Sequence, residues 1–331
     1  MATYYWDGSA ADNDWSTAAN WTAATVPVTG DTAVFDGRTT ENCTAGMDQT
    51  GVDLANLVIR NSYSGTIGAT LVPLIIECSG TMWIEGSGNY YIQCGNDAND
   101  ADVAATYINT GGMVELSSQK NQAAGNVAIW TAVYIFNGEV TFMGVTGKPT
   151  SAEDGTAFGD LYIYPQKGRR ANATVIIGDA CYDQAHTALG DVIMSDGTLT
   201  FYSDLGALTM YNGKATMGGT SYTMAADTDD DITTLTMYNG NFYWHPSVVA
   251  GSKETTASHS PLITTANIYG GKFDGTGMRG TVSTAPTVTT INLWPGTELD
   301  INNGLGNFII TTLNNYGGEI STSRNQALTL A

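Results

Sequence analysis

The sequence predicts an all-β chain wound into a parallel β-helix (β-solenoid), and three observations carry that prediction. First, one phrase recurs at irregular intervals: an apolar residue, an aromatic or polar residue, Asn, Asp or Gly, then Gly, a polar residue and another apolar residue. It reads Ile135-Phe136-Asn137-Gly138-Glu139-Val140 and returns at 194–199, 210–215, 237–242, 268–273 and 315–320. Each copy reads as a strand end, a tight turn that needs a positive φ, and the start of the next strand. Recurrence of such a unit marks a coiled stack of short strands. Second, the apolar runs at 57–59, 74–76, 82–84, 161–163, 175–177 and 308–310 are short and bounded by Gly, Asn, Asp or Ser, which is the grammar of strands. Third, helical periodicity is nearly absent; the best window, 113–124, has no steady apolar face and follows a Gly-Gly turn.

Taken in order, residues 1–45 read as an N-terminal cap or arm and residues 46–331 as the solenoid with polar loop insertions. The first segment holds Trp6, Trp15 and Trp21 and few apolar runs. A solenoid must cover its open end to avoid edge-to-edge pairing, and these tryptophans are the expected cover. Along the solenoid the turn ladder comprises Asn137, Gly138, Asn212, Gly213, Asn239, Gly240, Gly270, Gly271, Gly317 and Gly318. Tyr211, Tyr238, Tyr269 and Tyr316 precede the turns and are expected to stack on successive coils, whose spacing is about 4.8 Å. An immunoglobulin-like or jelly-roll array is the competing all-β reading, but it does not explain the likeness between successive phrases. The insertions 145–157, 219–231, 250–261 and 279–287 are expected to project as loops, where recognition or oligomer contacts usually sit.

Composition narrows the function. Charged residues make up 13% of the chain, against about 25% in an average soluble protein. The surface must therefore be built from Thr, Ser, Asn and Gly, which suits extracellular and virion proteins better than cytosolic enzymes. Thirty-two acidic against 12 basic residues give a net charge of −20. With no basic cluster beyond Lys167-Gly168-Arg169-Arg170, nucleic acid is not an expected partner. The acidity is expected to confer solubility or to complement a basic protein scaffold. Cys43, Cys78, Cys94 and Cys181 form no CxxC pair and the three His are scattered, so no zinc site is expected and the cysteines read as small buried hydrophobes. No stretch approaches the roughly 20 apolar residues of a membrane span, so no membrane association is expected.

The N-terminal residues carry a resemblance. Trp6-Asp7-Gly8, then Asp14-Trp15-Ser16-Thr17-Ala18-Ala19-Asn20-Trp21, Val26-Pro27 and Gly30-Asp31-Thr32-Ala33-Val34-Phe35 resemble the opening of bacterial autotransporter passengers and surface β-helix proteins. They are also similar to the opening of β-helical structural proteins of tailed phages. The resemblance implies a right-handed parallel β-helix, usually non-catalytic. No secretion leader is expected before Trp6 and no anchor after the solenoid, an expectation that favours the phage virion reading, with assembly in the host cytoplasm.

Catalytic chemistry finds little footing. Glycoside hydrolysis needs two carboxylates facing one groove, whereas the densest acidic runs, 97–102 and 227–231, read as loops in which neighbouring Asp side chains splay apart. They are instead candidate Ca²⁺ sites, at Asp97, Asp100 and Asp102 or at Asp227, Asp229 and Asp231, although neither has the EF-hand spacing. Trp244-His245-Pro246 reads as an aromatic coil corner, since no nucleophile elbow accompanies it. Exposed Tyr and Trp would allow glycan binding. The expectation is thus a non-enzymatic virion structural protein without a cofactor, unless Ca²⁺ is bound. It would be a homotrimeric decoration, cement or spike protein on the capsid exterior, with its own copies and capsid or other virion proteins as partners. The alternatives are a secreted or cell-surface adhesin and a polysaccharide-degrading tailspike.

Overall fold

The computed structural model describes residues 1–94, 103–118, 130–142, 156–164, 173–178, 181–182, 189–201, 205–217, 231–244, 262–275, 287–301, 309–322 and 329–330. The fold is an all-β parallel β-solenoid. Its chain divides into two compact units, Met1–Thr187 and Ala188–Ala331.

In the first unit, strands Thr3–Tyr5 and Thr32–Phe35 start a parallel stack. It continues through the C-terminal part of Asp48–Ile59 and of Leu74–Ile84, then the first halves of Ala105–Ser118 and Trp130–Phe142. Alternation along each strand turns Phe35, Ile59, Ile84, Ile108 and Ile135 inward as one fully buried row. A second stack pairs Asn89–Cys94 with the second half of Ala105–Ser118 and with the start of Leu74–Ile84. Four long strands thus serve both stacks and bend between them. The phrase at 135–140 is one such bend: it lies within the continuous strand Trp130–Phe142, with Gly138 at φ 114°, rather than between two strands. The reason is spacing: Thr106–Ile108 pair with Val133–Ile135 and Met113–Leu116 with Glu139–Phe142, so ladder pairing resumes immediately past the bend.

The start of this unit is closed by aromatic packing. Trp6, Trp15 and Trp21 are buried. Trp21 meets Trp6 edge-on at 5.3 Å and Trp15 at 4.7 Å, and Phe35 lies 5.7 Å from both Trp6 and Trp21. Trp21 Nε1 donates to the Trp15 carbonyl at 2.7 Å and Trp6 Nε1 to the Glu41 carbonyl at 3.1 Å. The buried Asn20 ties the segment together: its side-chain oxygen accepts the Ala10 N–H, and its amide donates to the Asp14 carbonyl. Thr17, the Asp14 N–H and Asn20 hold the Asp12 carboxyl below its usual range. The segment read as a cap also contributes strands Thr3–Tyr5 and Thr32–Phe35 to the stack.

The second unit is more regular. Each coil is a strand, a tight corner and a four-residue or shorter strand: Leu205–Met210 then Lys214–Met217, Ile232–Met237 then Asn241–Trp244, Leu262–Ile268 then Gly271–Asp274. Thr287–Leu293 then Thr297–Asp300, and Ile309–Asn315 then Glu319–Ser321, follow the same plan. The corner is built by backbone stacking. Gly240, at φ 91°, would drive a Cβ to 2.5 Å from the Gly213 carbonyl oxygen, the same oxygen that accepts the Asn241 N–H at 2.9 Å. Gly213 stands in the same relation to Gly197 one coil earlier. Only glycine allows both the left-handed φ and this approach. At Gly270 and Gly318 the constraint is close packing alone, against the Tyr238 carbonyl and the Thr297 hydroxyl. Asn239 donates to the Asn212 side-chain oxygen at 3.4 Å, and Asn212 to Asp196 at 3.3 Å, so these three turn residues link successive corners. One corner, Trp294-Pro295-Gly296, carries no copy of the phrase but turns through a positive φ of 84° at Gly296.

Candidate binding face

One sheet face of the second unit stands out by what its sequence repeats and what it leaves out. Ile232-Thr233-Thr234-Leu235-Thr236-Met237-Tyr238 returns as Ile263-Thr264-Thr265-Ala266-Asn267-Ile268-Tyr269. It returns again at 288–294 and 310–316. The apolar members turn inward: Leu235, Ala266 and Ile291 form one buried row and Met237, Ile268 and Leu293 the next. Period-2 alternation from there on turns Thr236, Asn267 and the aromatics outward, while the Thr-Thr pair breaks the alternation, with Thr233 and Thr264 exposed beside half-buried Thr234 and Thr265.

Register makes those outward residues into ladders. Thr234, Thr265, Thr290 and Thr312 pair in sequence, preceded by Ala207. Two residues along each strand, Thr209, Thr236, Asn267, Asn292 and Asn314 form a second row. Asn292 donates to the Asn267 side-chain oxygen at 2.9 Å and Asn314 to Asn292 at 2.8 Å. The third row is aromatic: Tyr211, Tyr238 and Tyr269 stack at 5.0 and 5.3 Å, Trp294 joins Tyr269 at 4.2 Å, and Tyr316 follows at 5.3 Å. The four tyrosines are 42–59% exposed, which places the expected Tyr ladder on the flank and not inside the coil. Within the ladder each interior ring is covered by the next coil's ring, so the tyrosines present edges and hydroxyls. Sugar binding by stacking needs a free ring face, and only the end rings keep one.

No Asp, Glu, Lys or Arg occurs in the five strands Leu205–Met210, Ile232–Met237, Leu262–Ile268, Thr287–Leu293 and Ile309–Asn315, in a chain of net charge −20. The strand before them in the same sheet, Leu189–Met194, brings exposed Asp191 into register with Ala207 and bounds the uncharged area. Beyond it, charge sits on the short strands. Lys272 Nζ lies 2.7 Å from Asp300, 3.2 Å from Glu298 and 3.5 Å from Asp274. The Asp300 hydrogen bond, with Glu298 and Asp274 behind it, raises the lysine above its usual range. Lys214 lies 4.7 Å above the Tyr243 ring.

The remaining sequence candidates fall as follows. Asp97, Asp100, Asp102, Asp227, Asp229 and His245 lie outside the described residues. Asp231 is described, and its carboxylate accepts the Leu262 N–H at 2.8 Å. Among the described residues no group of three or more His, Cys, Asp or Glu is placed to hold a metal ion. Cys43, Cys78 and Cys94 are buried; burial pushes the Cys78 thiol up to about 12. Burial also pushes the Glu115 carboxyl up, but its register neighbours are Tyr91 and Thr141, which offer no second carboxylate. Asn137 donates to the Thr110 carbonyl at 2.6 Å, a structural role at the bend.

Two features of this face escaped the phrase-based reading: the Thr-Thr rows and Trp294 as a rung of the aromatic ladder. Their signal was the heptad Ile-Thr-Thr-apolar-Asn-apolar-aromatic just ahead of the turns. No family model, curated protein or solved structure matches the chain. The likeness of its opening to surface and phage β-helices therefore rests on those residues alone.

Proposed function

We propose that this chain is a non-enzymatic structural protein of a virion exterior, a homotrimeric decoration, cement or spike protein of a tailed phage. The observation that carries the reading is the segregation of charge in five successive coils of Ala188–Ala331: an uncharged Thr–Asn–aromatic face on the strands from Leu205–Met210 to Ile309–Asn315, and charged side chains on the short strands. A sheet face without charge, backed by acidic short strands, is equipped to occupy surface, since the neutral face packs without desolvating charge and the acidic side complements a basic scaffold. Nothing in the described site pairs a nucleophile with a base or two carboxylates across a groove.

The test is addition of purified protein to virions that lack it. Binding that raises the temperature of genome release supports the reading, with no turnover of capsular polysaccharide. Absence of binding at any salt concentration refutes it. Binding to a bacterial surface or a glycan instead would favour the adhesin.

A further inference from the structure

We infer that the uncharged five-strand face of the unit Ala188–Ala331, from Leu205–Met210 to Ile309–Asn315, is where one copy of this chain meets another. The inference rests on the homo-oligomer in the proposed function and adds the surface it uses. Two copies carrying −20 each repel wherever their acidic surfaces approach. The five strands that end at Tyr211, Tyr238, Tyr269, Trp294 and Tyr316 contain no charge, so apposing them costs no ion desolvation and brings no like charges together.

The chemistry of the face also matches itself. Thr and Tyr hydroxyls and Asn amides each donate and accept hydrogen bonds. A face made of them can meet hydroxyls and amides of neighbouring copies around a threefold axis, as the proposed trimer requires, where faces of one-sign charge would repel. The side chains are also held in place before contact. Asn267, Asn292 and Asn314 are linked at 2.9 and 2.8 Å, and the aromatic rows are stacked, so little rotamer freedom remains to be lost on association.

Size sets the expected strength. Five strands about 4.8 Å apart, each offering about seven residues at about 3.3 Å, span about 24 by 23 Å. Two such faces remove about 1,100 Å² from water, close to the lower bound of a specific interface. Association should therefore be concentration-dependent. A basic scaffold would select the short strands bearing Glu298, Asp300 and Glu319, and a glycan would find only the end rings of the aromatic ladder free.

The experiment is sedimentation velocity on the full chain across a wide concentration range at low and high salt. Asn267→Asp places a charge mid-face while keeping the oxygen that accepts from Asn292. Thr264→Asp does the same at an exposed position outside the ladders. Asn241→Asp, on the opposite strand between Lys214 and Lys272 in register, is the control for added charge. Circular dichroism checks that each variant is folded. The expected result is that both face variants weaken self-association by at least about tenfold, less so at high salt, while the control matches the parent. An oligomer whose mass survives both face variants overturns the inference and leaves the homo-oligomer standing. A parent that is monomeric at every concentration overturns the inference and the oligomer together, and virion binding by that monomer would leave the decoration role intact.

Discussion

The two units solve the same problem, turning a coil corner, with different materials. In Met1–Thr187 the first corners are wide, running from Phe35 to Cys43, from Ile59 to Ile67 and from Ile84 to Tyr90. Their interior is filled by rings: Phe35 packs on Tyr63 at 5.3 Å, and Tyr63 on Tyr90 at 6.4 Å. Buried hydroxyls satisfy the backbone of the wide turn, with Tyr63 donating to the Glu41 carbonyl at 2.8 Å and Tyr90 accepting the Gly88 N–H at 2.9 Å. In Ala188–Ala331 the corner has shrunk to an Asp-Gly, Asn-Gly, Gly-Gly or Pro-Gly step with no room for a ring, so the aromatics at the corner lie outside, while Phe201, Phe242, Trp244 and Phe273 fill the core from the short strands. The outward row differs as well. Trp83, Tyr107, Tyr134 and Tyr162 stack at 4.2, 5.0 and 4.8 Å one residue before the buried row Ile84, Ile108, Ile135 and Ile163, whereas the second unit's ladder sits one residue after its last buried row, at the corner. Corner width thus decides whether the corner itself holds a ring; along the strands both units bury aromatics, as at Phe142, Phe242 and Trp244.

The comparison can be broken most severely at the closed end of the first unit. Trp21→Ala removes a buried ring packed on Trp6, Trp15 and Phe35 and should cost about 3–5 kcal/mol. Hydrogen exchange should show protection lost in strand Thr32–Phe35 and kept in Ile232–Met237. Equal loss in both would show that the units do not unfold separately.

The second contrast concerns glycine. Gly240→Ala meets both a left-handed φ and the Gly213 carbonyl, and should destabilise by about 2–4 kcal/mol. Gly51→Ala in the first unit has a φ of 79° but open space around it, and should cost only about 1–2 kcal/mol. Denaturant midpoints of the two variants check the difference.

Alkali should separate the units next. Cys78 and Tyr90 are both pushed up to about 12 by burial, from unfolded values of about 8.5 and 10. The folded first unit holds these protons more tightly than the unfolded chain. Their contribution is therefore intact below about pH 8.5 and is lost as pH climbs toward 12. The second unit has no cysteine and carries its described tyrosines near the surface or outside. Its raised group is Lys272, whose contribution fades only above the usual lysine range. Thermal melts from pH 8 to 11 should lower the first unit's transition ahead of the second's.

Two smaller effects follow. The Thr106 hydroxyl is buried in an otherwise apolar row between Met82 and Val133, with no partner among the described residues. Thr106→Val should therefore stabilise the first unit by about 1 kcal/mol. Tyr238→Ala, with a ring on each side, should cost about 1 kcal/mol, and Tyr211→Ala, with a Tyr on one side, about half as much. Chemical denaturation measured side by side resolves the order.

Much of this was legible in the sequence. The turn phrase determined the coils of the second unit because a positive φ stacked on a backbone carbonyl admits only glycine, and that requirement is local. Strand identity followed from short apolar runs, and Trp6, Trp15 and Trp21 announced an aromatic closure because no other part of the chain brings three tryptophans so close together. The tertiary structure alone decided the rest. The wide corners share no phrase, since packed side chains rather than a backbone motif hold them, and the bend at Gly138 became part of a continuous strand because its neighbours keep the ladder in register. Whether a tyrosine points in or out, and that Trp294 completes the ladder of Tyr269 and Tyr316, depends on register between residues more than twenty positions apart. That register is set by which apolar side chains stack in the core.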